Sequence, residues 1–231
     1  LTSAPSDQAY GGADVEQPGS DAAIRSTTGL VLSWNGRVVR APYHSTCGGQ
    51  TAAPSEVWQG ANDDGYLRSV SDHIPGGDRA WCDISPRYRW ERAFDRTALE
   101  EAVDRYVRAN GTGMIVAGGS VRGVHIEQET PSGRVGTLVM ETDGGALRLR
   151  GNAIRYALRG VGGEILNSTY FSLEPVIGRD GRLMQLTVRG AGNGHGIGMC
   201  QWGAIGRARA GYDARAILAA YYPGTVLTRL P

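Results

Sequence analysis

Apolar and polar residues alternate with a period of two through much of this chain, and the pattern shifts to a helical period at only a few places. The first long alternating stretch is GLVLSWNGRVVRAPYHS. Leu30, Val31 and Leu32 lead into Trp34, Asn35-Gly36 supplies a two-residue hairpin turn, and Val38 and Val39 return. Just before it, DAAIRSTTG reads as a short helix ending at Gly29. Between Val121 and Leu149 the runs VRGVHIEQET, VGTLVMETDGG and ALRLRG alternate as strands, with a turn at PSGR. Strands resume in EILNSTYFSLEPVIG and, past a GRDGR turn, in LMQLTVRG.

The helical period is clearest in RTALEEAVDRYVRANG. Leu99, Val103 and Val107 share one face, Thr97 with Glu100 reads as a capping box, and Asn110-Gly111 ends the run. A short helix, NAIRYALRG, opens at Gly151 and closes at Gly160. Near the C-terminus AIGRARAG reads as a small-residue helix, and Asp213 caps ARAILAAYY before Pro223. The expected class is α+β: mostly antiparallel, curved β-sheet with several short helices, and Gly-rich loops forming a groove. Residues 60–115 interrupt the strand pattern and read as an inserted loop/helix subdomain.

Composition narrows the function classes. The chain has 231 residues, enough to bury a proper core. Its 24 basic and 23 acidic residues leave a net charge of +1 with no basic stripe, which argues against a nucleic-acid partner. No run of about 18 apolar residues is present, so no transmembrane segment is expected. The thirty-five glycines are scattered among the strands without a collagen or linker period, which points to tight turns and close backbone approaches.

Two segments carry candidate chemistry. The first, Tyr43 to Thr51, places His44, Ser45, Thr46, Cys47 and Thr51 around the pair Gly48-Gly49. Its hydroxyls can donate and accept, and its glycines let backbone amides approach a ligand, although a polar turn satisfying its own backbone explains the same residues. The second, GNGHGIGMCQWGA, places Gly194, His195 and Gly196 before Cys200, Gln201 and a helix start, an arrangement suited to an anion or a sugar. It is neither a dinucleotide fingerprint nor a P-loop, since no βαβ unit and no Gly-Lys-Ser/Thr follows.

These segments carry a resemblance. HSTCGGQT followed by EVW and YLRSV is similar to the HSTSGGxT…W…YLxSV motif of the stage II sporulation protein D / amidase enhancer family. GNGHGIGMCQWGAIGRARAGYDARAILAAYYPGTVL resembles that family's C-terminal signature, and SGRV, GNAIRYAL and LNSTYF fall where the family has related elements. The resemblance runs from about Asp7 to Leu227. It implies one domain over 1–231, truncated at its N-terminus relative to the family and acting outside the cytoplasm on peptidoglycan. It further implies a lytic transglycosylase that cleaves the MurNAc–GlcNAc bond of strands stripped of stem peptides. The alternative is a non-catalytic module that binds glycan or enhances a cell-wall amidase. The family's catalytic glutamate lies in a helix upstream of the DQAYGG-like element. None of Glu16, Glu56, Glu91, Glu127, Glu141, Glu164 or Glu174 has a matching context, so no catalytic residue is assigned.

The binding residues implied are His44, Ser45, Thr46, Gly48, Gly49 and Thr51 from the first motif, with Gly194, His195, Gly196 and Gln201 from the second. Arg155 matches the family's arginine, as an ion-pair partner or a ligand contact. Trp58, Trp81 and Trp90 are sugar-stacking platforms or core residues. No cofactor is required. The three cysteines lack a CxxC spacing. For them three readings stand: a Cys47–Cys82 disulfide with Cys200 free, three free thiols, or a structural zinc held by Cys47, Cys82 and Cys200 with His195 or His44. A Cys–His hydrolase using Cys47 or Cys200 has the residue types but no orienting motif.

Overall fold

The computed structural model describes residue 14 and residues 16–111 and 120–230; the DQAYGG element lies outside them. The chain is α+β, with open, largely antiparallel sheets, and divides into two compact units. Among the described residues no helix is long and apolar enough to cross a membrane.

The smaller unit comprises residues 1–39 and 226–231. Helix α1 (Pro18–Thr27) precedes β1 (Leu30–Trp34), β2 (Arg37–Val38) and, from the far end of the chain, β11 (Val226–Arg229). The Asn35-Gly36 turn forms as expected, with positive φ at both residues. The pairing of β1 with β11, Leu30 opposite Arg229 and Ser33 opposite Val226, is not signalled locally, because β11 is a short run with no turn chemistry tying it to its partner.

The larger unit, residues 40–225, holds the apolar core. Three strands order as β4 (Arg89–Asp95), β9 (Leu183–Ala191), β8 (Phe171–Ile177). Three more order as β5 (Val121–Glu129), β6 (Val135–Thr142), β7 (Gly145–Arg150). Helix α3 (Arg96–Asn110) lies against β4, β9 and β5, and the short α4 (Ala153–Ala157) lies against β7 and α3. The period-3.6 face of α3 buries Leu99, Ala102, Val103 and Val107. Burying each large aliphatic side chain there contributes roughly 1.5–3 kcal/mol. The helix is capped two residues earlier than the Thr97–Glu100 pattern suggests: Asp95 accepts from the Ala98 amide at 2.8 Å. Gly111 ends it in the left-handed region at φ 58°. Leu138, Met140, Leu149, Leu166, Leu186 and Val188 fill the space between the sheets and helices.

Candidate functional site

The two motif segments meet at a short parallel pair, β3 (Tyr43–His44) and β10 (Met199–Cys200), with His44 opposite Cys200. Around it the segments interlock by backbone bonds. Thr46 and Asn193 exchange both of theirs, at 2.9 and 2.7 Å, and Ala52 donates to Gly196 at 2.8 Å. Glycine is required at two points of this lock. Gly192 (φ 79°) and Gly198 (φ 69°) sit in the left-handed region. A Cβ would run into the Thr46–Cys47 backbone at Gly192 and into the Pro42 carbonyl at Gly198.

The lock orients two imidazoles through one residue, Ile197. The Nδ1 of His44 lies 3.1 Å from the Ile197 carbonyl, which only accepts, so Nδ1 carries the proton. Its Nε2 is then a bare acceptor, buried and without a partner. The Nδ1 of His195 accepts from the Ile197 amide at 3.0 Å, which places that ring's proton on Nε2. The ring centroids are 5.5 Å apart, and the half-buried Trp58 ring lies 5.2 Å from that of His195, tilted by 45°. Burial, reinforced by the Arg134 charge, pushes His44 down to about 3. Burial, reinforced by His44, does the same to His195. Both rings are therefore neutral near pH 7.

Two buried guanidiniums lie close by. Arg134 donates to the carbonyls of Cys47 (3.0 Å) and Gln50 (2.9 Å), packs against Gly196 and sits 5.3 Å over the Tyr170 ring. Arg155 donates to the Leu166 carbonyl (2.8 Å) and to Asn152 Oδ1 (3.0 Å), and burial lowers it to about 10. Both are held by neutral oxygens in these bonds, which leaves their charge for the surroundings. Beside them a polar cavity of about 420 Å³ opens next to α2 (Pro54–Val57), lined by Glu56, Gln59, Gln128, Thr130, Thr137 and Arg150 among others.

The expected contact residues divide by exposure. Thr46, Gly48, Gly49, Thr51 and Gly196 are buried in the interlock. There Thr46 bonds the Ser85 hydroxyl at 2.8 Å, and Thr51 accepts from the Val70 amide at 2.8 Å. Ser45, Gly194 and His195 are half-buried, and Gln201 is exposed at the start of α5 (Gln201–Arg209). Trp81 pairs edge-on with Tyr212, and Trp90 packs beside Phe171, so the three tryptophans form no common platform. Sequence reasoning passed over Arg134, although it stands inside the quoted SGRV element. It also passed over Asp72, which stands two residues past the quoted YLRSV element.

The three cysteines gather at the base of the β3–β10 pair, and all are free. The expected Cys47–Cys82 bond is not formed. Those sulfurs are 3.5 Å apart, well beyond the roughly 2.05 Å of a disulfide, and a carboxylate oxygen of Asp72 lies in the same cluster. Burial and the neighbouring thiols push Cys47 up. Burial opposes ionisation of Cys200 as well, but hydrogen bonds from Cys47 and Cys82 hold it well below an ordinary thiol. Burial raises Asp72 to about 7 against the pull of the Tyr221 hydroxyl.

The chain belongs to the stage II sporulation protein D and amidase enhancer family. Within it, a family model described as a domain of unknown function (DUF8618) matches residues 82–198, about half the chain. Stage II sporulation protein D of Bacillus subtilis is 31% identical over 89% of this chain and 50% of its own length. The amidase enhancer of the same organism is 27% identical over 96% of this chain and 34% of its own. Stage II sporulation protein D of Bacillus amyloliquefaciens is 28% identical over 87% of this chain and 48% of its own. The chain thus spans about half or less of the relatives it matches.

These relatives correct the expectation of glycan cleavage. They are named for a sporulation stage and for enhancing an amidase, and none is named for a transglycosylase. The carboxylates closest to the motifs are also engaged elsewhere. Asp72 is buried among the cysteines, and Glu56 is bonded to Ser132 and to the Ala53 amide. The amidase-enhancing alternative fits better.

Proposed function

We propose that this chain is a cell-wall module that binds peptidoglycan glycan outside the cytoplasm and enhances a cell-wall amidase. The observation that carries this reading is the alignment with an amidase enhancer over 96% of the chain. The chemistry of the site supports it. Trp58 offers an aromatic face beside half-buried His195, and the nearby cavity is lined by amides and hydroxyls together with the charged Glu56 and Arg150. Neutral donors and acceptors around an aromatic face suit the hydroxyl and acetamido groups of an amino sugar. The buried cations Arg134 and Arg155 add a field that favours the muramyl carboxylate once stem peptides are removed. The test is co-sedimentation with insoluble peptidoglycan and with peptide-free glycan strands. Saturable binding to the peptide-free strands that drops for Trp58→Ala and His195→Ala supports the reading. Equal recovery with and without glycan sinks it.

A further inference from the structure

Cys47, Asp72, Cys82 and Cys200 come from four separate stretches of chain, yet their ligand atoms all lie within 4.8 Å of one another. Each of the four residues is 0% exposed. Cys47 Sγ stands 3.5 Å from Cys82 Sγ and 3.4 Å from Asp72 Oδ2. Around an ion bonded to sulfur at ~2.3 Å, tetrahedral geometry separates ligand atoms by about 3.8 Å. The observed spacing is close to that of a coordination shell and too long for a disulfide.

The surroundings are built for anions at this point. Cys200 caps α5 and accepts from the Gly203 amide at 3.3 Å and the Cys47 amide at 3.1 Å, while Cys47 accepts from the Gly49 amide at 3.4 Å. Asp72 spends Oδ1 on the Tyr221 hydroxyl (2.6 Å) and Arg207 (3.4 Å), which leaves Oδ2 turned toward Cys47. A Cβ on Gly203 would collide with both Asp72 and Tyr221, so a small residue keeps this room open. Among the described residues, Arg207 is the cation bonded to the cluster's side chains. Three thiolates and a carboxylate buried against a single guanidinium would be strongly unfavourable, and a divalent cation offsets most of that excess negative charge.

We propose that Cys47, Asp72, Cys82 and Cys200 form a closed structural site for a soft divalent cation of the zinc class. On binding, whatever protons the three sulfurs and the Asp72 carboxyl carry leave to solvent, and three thiolate sulfurs and one carboxylate oxygen bond the ion. No electrons are transferred. Four protein ligands without solvent access mark a structural rather than a catalytic site. Neither His44 nor His195 belongs to this set of mutually close ligand atoms. The ion would tie the Cys47 loop, the 72–82 segment and the start of α5 to the base of the β3–β10 pair. This site is independent of the amidase-enhancing reading, and either can fail alone.

The test is metal analysis of the chain purified without chelator, with X-ray absorption at the zinc edge. The expected result is about one zinc per chain, with three sulfurs at ~2.3 Å and one oxygen at ~2.0 Å. Protein stripped and refilled with cobalt should show thiolate-to-metal absorption. Tyr221→Phe removes only the hydroxyl that orients Asp72, and should weaken zinc binding roughly 10–100-fold while the circular dichroism stays that of the parent. A folded chain with three titratable thiols that takes up neither zinc nor cobalt overturns the proposal. So does a single titratable thiol in the denatured, unreduced chain, or an absorption shell containing imidazole nitrogen.

Discussion

Two regions of the larger unit are equally buried and held by different forces. In the strand-and-helix body, residues such as Phe94, Leu99, Leu138, Leu166 and Val188 fill a continuous apolar core. At the motif segments the buried side chains are His44, Thr46, Cys47, Thr51, Asp72, Cys82 and Cys200, and the contacts are hydrogen bonds and glycine-to-backbone approaches. An apolar core tolerates changes that conserve volume and shape. A polar lock has little such freedom, because each buried group needs its own partner.

Cutting a hole in the apolar body should produce the largest loss. Leu138→Ala, at a fully buried strand position, should lower unfolding stability by about 2–5 kcal/mol while leaving glycan binding of the remaining folded protein unchanged. Denaturant titration paired with co-sedimentation separates the two effects. Breaking the lock should act differently. Gly192→Ala, forced into the left-handed region against the Thr46–Cys47 backbone, should cost on the order of 3 kcal/mol and abolish glycan binding. Gly181→Ala offers the control: its φ is also positive at 72°, but no atom stands within 4 Å of the added carbon. It should cost only about 1–2 kcal/mol and spare binding. Equal penalties at 181 and 192 would mean that the interlock contributes nothing beyond local backbone strain.

Acid should distinguish the regions next. His44 has a folded pKa of about 3 against an ordinary 6.5. Between those values the unfolded chain binds a proton that the native chain refuses, so stability falls as pH drops from about 6.5 toward 3 and is unaffected by this group above 6.5. The slope is about 1.4 kcal/mol per pH unit for one such histidine. His195, depressed likewise, adds an equal slope, and Asp72, raised to about 7, opposes one, so the test is the difference: thermal melts from pH 7 to pH 4 should be flatter for His44→Asn by one proton's worth. The smallest effect belongs to the exposed ion pairs on the outer sheet. Glu91→Gln, which removes the charge 2.7 Å from Arg189, should leave stability almost unchanged, and what difference there is should fade in salt.

The same contrast explains what the sequence makes legible. Alternation and helical period place α3, β5, β6, β7 and β9 well, because the apolar body obeys one rule along its length. Asp213 as the cap of α6 (Ala214–Tyr221) is also legible, and its carboxylate accepts from Ala216 at 2.7 Å. The pairing of β1 with β11 escapes local pattern, since it joins residues nearly 200 positions apart. At the candidate site, the motifs identify the right segments but not the exposure of their residues. Interlocking turns most of the first motif inward, where sequence alone suggests a groove lining. Asp72 is invisible because its meaning depends on three cysteines distant in sequence. Arg134 is overlooked because its partners are backbone carbonyls, which leave no trace in residue identity.

The most direct measurement is the rate at which a purified N-acetylmuramoyl-L-alanine amidase releases stem peptides from peptidoglycan, with and without this chain and its Trp58→Ala variant. The account predicts a faster, saturable rate with the parent chain and a rate near the amidase-alone value with the variant. An amidase rate unchanged at every concentration of the parent chain would contradict it.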